Sequence, residues 1–319
     1  MSSWTDPQNI FFFGSAFLVT FLVAIFICMK AITTPHPIIR RHKEEEYFFN
    51  PRTKEKEKFP TIDSDPEIDF SIIVPAYDEE MRLPLMLDEA IAFLEKKNCT
   101  YEVIVVSDGS KDATVSVALK YSESHGTDKV RVLELIENRG KGGAVRLGIQ
   151  CSRGKYILFA DADGATKFGD FIKLEAEMTQ QWTEDGIVIG SRAHLEDDAI
   201  ATRSFFRTIL MHGFHFLVWL FAVRGVRDTQ CGFKMFTRRA ARVLFQIMHV
   251  ERWAFDVELL YIAQALRMPI REVAVNWTEI DGSKVTPFWS WLQMGRDLFL
   301  IWFRYTIGAW SLQRKPHRS

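Results

Sequence analysis

The segment YILFADADG, residues 156–164, carries the reading of the fold. Five apolar or aromatic residues make a short run typical of a buried strand. Asp161-Ala162-Asp163 follow, and Gly164 then lets the chain turn. The same grammar recurs upstream. FSIIVP (70–75) ends in a turn carrying Tyr77 and Glu79, and YEVIVVS (101–107) ends at Asp108-Gly109-Ser110. VRVLELI (130–136) ends at the loop Asn138-Arg-Gly-Lys-Gly-Gly143. Between these runs apolar residues fall at helical spacing, as at Leu83, Leu87, Ile91 and Leu94, and again over 112–124. Strands separated by helices of this length predict βαβ units and a parallel sheet with flanking helices. No internal repeat is visible.

The polar residues gather at the C-terminal ends of the predicted strands, where open α/β sheets bind ligands. Two carboxylates spaced D-x-D supply hard oxygen ligands for Mg2+ or Mn2+, which retain waters and bridge to substrate phosphates. An Asp-rich turn that caps the next helix would look the same. The loop 138–143 offers backbone N–H groups and Lys141 to a phosphate, although a flexible surface turn has the same composition. It is not a Walker A loop, since no Ser or Thr follows the Lys. GIVI (186–189) is another strand-like run, ending at Gly190-Ser191-Arg192.

Ile10 to Met29 holds no charge over 20 residues, about one bilayer core in helical rise. Asp6 precedes it, while Lys30, Arg40, Arg41 and Lys43 follow. This predicts an uncleaved anchor with the rest of the chain in the cytosol. Charged, Pro-punctuated residues lead from there to residue 69 and read as a linker. Four scattered cysteines form neither a metal-ligand pattern nor a disulfide framework, as expected in a reducing compartment. The formal net charge of −1 gives no field that would select nucleic acid. Basic residues flank the apolar stretch 209–223, and Pro287 to Trp310 is rich in aromatics and Arg. Both predict helices lying against membrane lipid; short core helices would share the pattern. The predicted organisation is an anchor (1–35), a charged linker (36–69), a catalytic domain (70–280) and an interfacial helical extension (281–319).

With VPAYDEE (74–80), VSDGSKDAT (106–114), NRGKGGAVRLG (138–148), DADGATKF (161–168), GSRAHL (190–195), RDTQCGFKMF (227–236) and ERWAFDVELLYIA (251–263), the chain resembles the family-2 glycosyltransferases of the polyprenyl-phosphate sugar synthase type. RDTQCGFK, ERWAFDVELL and VNWTEIDGSK (275–284) resemble its glucosyl branch. The resemblance implies a GT-A-like nucleotide-sugar-binding fold, a UDP-glucose donor, dolichyl phosphate as acceptor, and inverting transfer at the endoplasmic reticulum membrane. It implies that Pro75, Tyr77, Glu79, Val106 and Asp108 line the nucleotide pocket. Asp161 and Asp163 would carry metal and diphosphate, Arg192 and Arg207 would hold the acceptor phosphate, Lys284 would meet donor phosphates, and Asp228 would lie near the transferred sugar. Ser107 departs from the first Asp usual before Asp108, and Thr278 stands where mannosyl relatives carry Arg. A GDP-mannose-dependent transferase on the same fold and a silent membrane scaffold are the competing expectations. A processive polysaccharide synthase would need more membrane spans than the one visible here.

Overall fold

In the computed structural model, the described residues are 7–181, 185–195, 224–280 and 287–313. The chain opens with helix α1 (Pro7–Ile32). Its span Phe11–Ile32 has a mean hydropathy of 2.6 and none of it is buried against the rest of the protein. It is long and apolar enough to cross a membrane.

Residues 43–62 are folded, which corrects the expected linker. A 3-10 turn at Lys43–Glu46 leads into an antiparallel hairpin, β1 (Tyr47–Asn50) and β2 (Glu55–Lys58). Phe48 and Phe59 pack with tilted rings at 5.0 Å between centroids, and with Ile62 they join the main core. The charges of β2 are exposed or half-buried, while Phe48 of β1 faces inward and Glu45, before the hairpin, is buried.

The central sheet comprises β3 (Ile68–Ala76), β4 (Tyr101–Ser107), β5 (Val130–Glu134), β6 (Gly154–Ala160), β7 (Ile187–Ser191), β8 (Phe233–Thr237) and β9 (Ile270–Ala274). Its order is β5-β4-β3-β6-β8-β7-β9. Strand β8 runs antiparallel to both β6 and β7 and the remaining pairs are parallel, so the sheet is mixed rather than parallel throughout. Nothing local in FKMFT encodes direction; the return path of the chain does. Successive side chains alternate between two cores. Ile72 and Val74 face α2 (Leu83–Lys97) and α5 (Phe171–Gln181). Ile73 and Phe159 face α4 (Lys141–Gln150), α6 (Arg238–Ile247) and α7 (Phe255–Ala265). Helix α3 (Thr114–His125) packs beside β5.

The C-terminal helix α8 (Pro287–Thr306) is not purely interfacial. Leu298, Ile301 and Tyr305, with Trp310 beyond the helix, are buried in the main core, while Phe299 on the opposite side remains 43% exposed. The amphipathic period served the domain as well as any lipid surface. Most of the other basic-aromatic stretch (196–223), including Arg207, lies outside the described residues, as does Lys284.

Candidate active site

Strand β3 lies between β4 and β6, so the chain runs to opposite sides of it. The loops leaving β3 and β6 therefore part and leave a crevice at their C-terminal edge. A cleft of about 590 Å³ opens there. Pro75 lines it from β3, Tyr77 and Glu79 from the loop after β3, Asp108 from the loop after β4, Lys141 from α4, and Asp161 and Asp163 from the loop after β6. The sequence had put these residues at strand ends, and the topology brings them together. Val106 does not join them. It is fully buried in β4, and its methyl lies where a Cβ on Gly148 would fall, so it packs α4 onto the sheet.

Lys141 Nζ lies 2.6 Å from Asp161 Oδ1. Burial works to lower the Lys141 pKa, but the carboxylates of Asp161 and Asp256 outweigh it and raise it, so the ammonium stays charged. Asp163 accepts the Ala165 N–H at 2.9 Å. Burial pushes its carboxyl above the usual range, and the neighbouring Asp161 charge adds to the rise. A cation placed between the two carboxylates would relieve that crowding. Among the described residues no group of three or more His, Cys, Asp or Glu side chains is arranged to hold a metal ion by itself. The donor set thus fits a hard divalent ion that takes its other ligands from phosphate oxygens and water. Gly232 is required beside it, because a Cβ there would lie 1.9 Å from Asp161 Oδ2.

Asp108 organises the Gly-rich loop. Its two carboxylate oxygens accept the backbone N–H groups of Arg139 (2.7 Å) and Gly140 (2.9 Å), and its carbonyl accepts the Asn138 amide (2.9 Å). Burial nevertheless raises its pKa, outweighing those hydrogen bonds. Gly140 has a φ of +86°, and a Cβ there would press on the Glu251 carbonyl. The loop is therefore built and anchored rather than a loose turn.

Arg192 and Asp228 behave differently from expectation. Arg192 reaches the cleft, yet its Nε and Nη2 donate to the two oxygens of Asp228 at 2.7 and 2.9 Å, and its backbone N–H donates at 2.8 Å. Burial favours the neutral carboxyl of Asp228, but the Arg192 hydrogen bonds and charge outweigh it and hold the pKa down. Asp228 therefore orients Arg192, and one edge of the guanidinium is committed to it. The Arg192 guanidinium also lies 5.5 Å from the Trp277 ring centroid.

Asp256 sits in the first turn of α7 and is paired with the buried Lys234 at 2.6 Å. Burial raises its pKa, against the opposing pull of Lys234 and Lys141. Sequence reasoning did not single out Arg252, Trp253, Gln230 or Trp277, all of which line the cleft. They come from the loops before α7, before β8 and after β9, on the segments that carried the family resemblance. Their spacing alone contained no signal for a shared site.

Residues 71–245 match the model described as Glycosyl transferase family 2. The chain is 64% identical to the Dolichyl-phosphate beta-glucosyltransferase of Drosophila melanogaster, covering 98% of this chain and 99% of the relative. It is 57% identical to that of Homo sapiens, over 94% and 95% of the two chains. Among solved structures it is similar to glucosyl-3-phosphoglycerate synthase from Mycobacterium tuberculosis in complex with Mn2+, UDP-glucose and phosphoglyceric acid. That match has a TM-score of 0.52 at 17% identity, covering 76% of this chain and 80% of the other, and it bears on the fold alone. The cleft at the strand edge, the D-x-D pair, the mixed GT-A-like sheet and these relatives agree: the chain is a glycosyltransferase and belongs to glycosyl transferase family 2, alongside the dolichyl-phosphate beta-glucosyltransferases.

Proposed function

We propose that the protein transfers glucose from UDP-glucose to dolichyl phosphate with inversion, giving dolichyl β-D-glucosyl phosphate, a lipid-linked glucose donor for N-glycan precursor assembly. The observation that carries this reading is 64% identity across nearly the whole of a relative bearing that activity in its name. The anchor α1 suits a lipid acceptor. Lys30, Arg40, Arg41 and Lys43 after it favour a cytosolic catalytic domain at the endoplasmic reticulum membrane.

Pro75 and Tyr77 would flank the nucleotide, and Glu79 supports that wall through its ion pair with Arg82. Lys141 would face the diphosphate. Asp161 and Asp163 would hold a Mg2+ or Mn2+ ion, which when bound supplies charge neutralisation for the leaving UDP. The acceptor brings its own nucleophile, because the second ionisation of a phosphate monoester falls at about pH 6. The protein must therefore hold that dianion in line with the sugar C1, opposite the departing diphosphate, and offset its charge. The edge of Arg192 not taken by Asp228 is suited to this, and Arg207 and Lys284 are proposed to share the phosphate contacts. Attack from the face opposite UDP inverts the anomeric centre.

The test uses the purified full-length protein in detergent with dolichyl phosphate, offering UDP-glucose and GDP-mannose in parallel. Glucosyl transfer that stops in EDTA is the expected result. Mannosyl transfer, or no transfer from either donor, would overturn the reading.

A further inference from the structure

The segment that leaves the apolar helix α1 does not run directly into the catalytic domain. It first passes the loop that carries Lys141. Glu45, in the 3-10 turn at Lys43–Glu46, is completely buried. Its carboxylate accepts Arg139 Nη2 at 3.0 and 3.1 Å, the Ile136 N–H at 3.1 Å and the His42 N–H at 3.0 Å. Arg139 Nη1 also donates to the carbonyl of Arg40. Two carboxylates therefore hold one residue of the Gly-rich loop from opposite sides: Glu45 takes the Arg139 side chain, and Asp108 takes its backbone N–H. A third tether comes from the Gly143 N–H, which donates to the Glu251 carbonyl at 3.0 Å. Lys141, between these fixed points, meets Asp161 across the cleft.

Glycine at 140, 142 and 143 leaves the loop backbone with more freedom than most sequences have. An anion-binding loop of this kind works only when its N–H groups and Lys are held in place before the ligand arrives. The buried charge pair stands out against that need. Two charges are removed from water to fix a single loop residue, and such an arrangement is better suited to specifying a geometry than to adding stability.

We propose that Glu45 is a positioning residue for the nucleotide donor: through Arg139 it holds the loop 138–143 in its phosphate-binding form, making the stretch just after the membrane helix part of the donor site. Donor binding then depends on the docking of residues 40–46, and the acceptor side of the cleft does not. The inference rests on the donor reading above.

Full-length protein is compared with Glu45→Gln, Arg139→Gln and the double variant. UDP binding in the presence of Mn2+ is titrated calorimetrically, and steady-state KM values are measured for UDP-glucose and dolichyl phosphate. Each single variant is expected to bind UDP about tenfold more weakly, the effect of losing one charge-assisted contact. The double variant is expected to bind no more weakly than Arg139→Gln, since both substitutions cut the same connection. KM for UDP-glucose rises in parallel, while KM for dolichyl phosphate is unchanged. Unchanged UDP affinity in a folded single variant, additive losses in the double variant, or an equal rise in both KM values would overturn the proposal. If Glu45→Gln does not fold, Arg139→Gln alone decides by the same criteria. Wild-type protein that binds no UDP would instead refute the donor reading itself.

Discussion

Asp163, half-buried in the cleft, combines desolvation with a second carboxylate two residues away. Both push its pKa upward. Because the charged form is what a divalent cation needs, metal-dependent UDP affinity should fall as pH drops through a value above the ordinary carboxylate range. Asp163→Asn should abolish that dependence and lower turnover at neutral pH by at least about a hundredfold. Calorimetric titration of UDP with and without Mn2+ across pH checks both, and full activity of this variant in EDTA would contradict them. Asp256 carries the opposite expectation. Its carboxylate is paired with Lys234 inside the protein, and the acceptor phosphate needs no base. The pH profile of turnover in Asp256→Asn should therefore keep the wild-type shape, rising through the acceptor's own ionisation near about pH 6. Turnover lost at neutral pH and restored by raising the pH would show that Asp256 accepts a proton.

At the level of elements, the β1–β2 hairpin decides how much of the N-terminal region is structural. Phe48 and Phe59 are packed against each other and against the main core, and the Arg131 guanidinium lies 5.5 Å from the Phe48 ring centroid. Phe48→Ala should destabilise the protein by about 3 kcal/mol through lost burial and the cavity left behind. Thermal unfolding in detergent measures this, and a melting temperature within about one degree of wild type would mean the hairpin is an appendage after all. The loop after β6 is pinned to the segment after β9 in a comparable way. Lys167 N–H donates to the Asn276 carbonyl at 3.0 Å, and Thr278 N–H donates to the Ala165 carbonyl at 2.9 Å. Elements far apart in sequence thus set where the D-x-D carboxylates stand.

For the whole molecule, none of the apolar span of α1 is buried, and the chain just after that helix is tied to the segment following α8, where Ser311 N–H donates to the Pro35 carbonyl at 2.8 Å. Removal of residues 1–33 should leave a folded protein that still floats with liposomes. The exposed Phe299, stacked with Phe303 at 5.8 Å on α8, offers an apolar surface to the interface. Recovery of the truncated protein in the soluble fraction after flotation would show that α8 serves the core alone.

Much of this molecule was legible before any tertiary information. The apolar strand runs, their polar ends at Tyr77, Asp108 and Asp161, and the long apolar helix over the uncharged stretch after Ile10 are local patterns with a direct physical cause, the period and apolarity of the side chains. The family followed from motifs that are continuous in the sequence, such as those at 74–80, 138–148 and 161–168. What those patterns lacked was every relation that depends on the path of the chain. The antiparallel direction of β8 is such a case, because a strand's own residues do not state which way it enters the sheet. The folded state of residues 43–62 is another, since their charges mask three buried apolar side chains. The pairing of Arg192 with Asp228, 36 positions apart, and the reach of Glu45 to Arg139 across 94 positions are further cases. A carboxylate and a guanidinium have many partners of suitable charge along a chain, and only burial in one shared place selects among them.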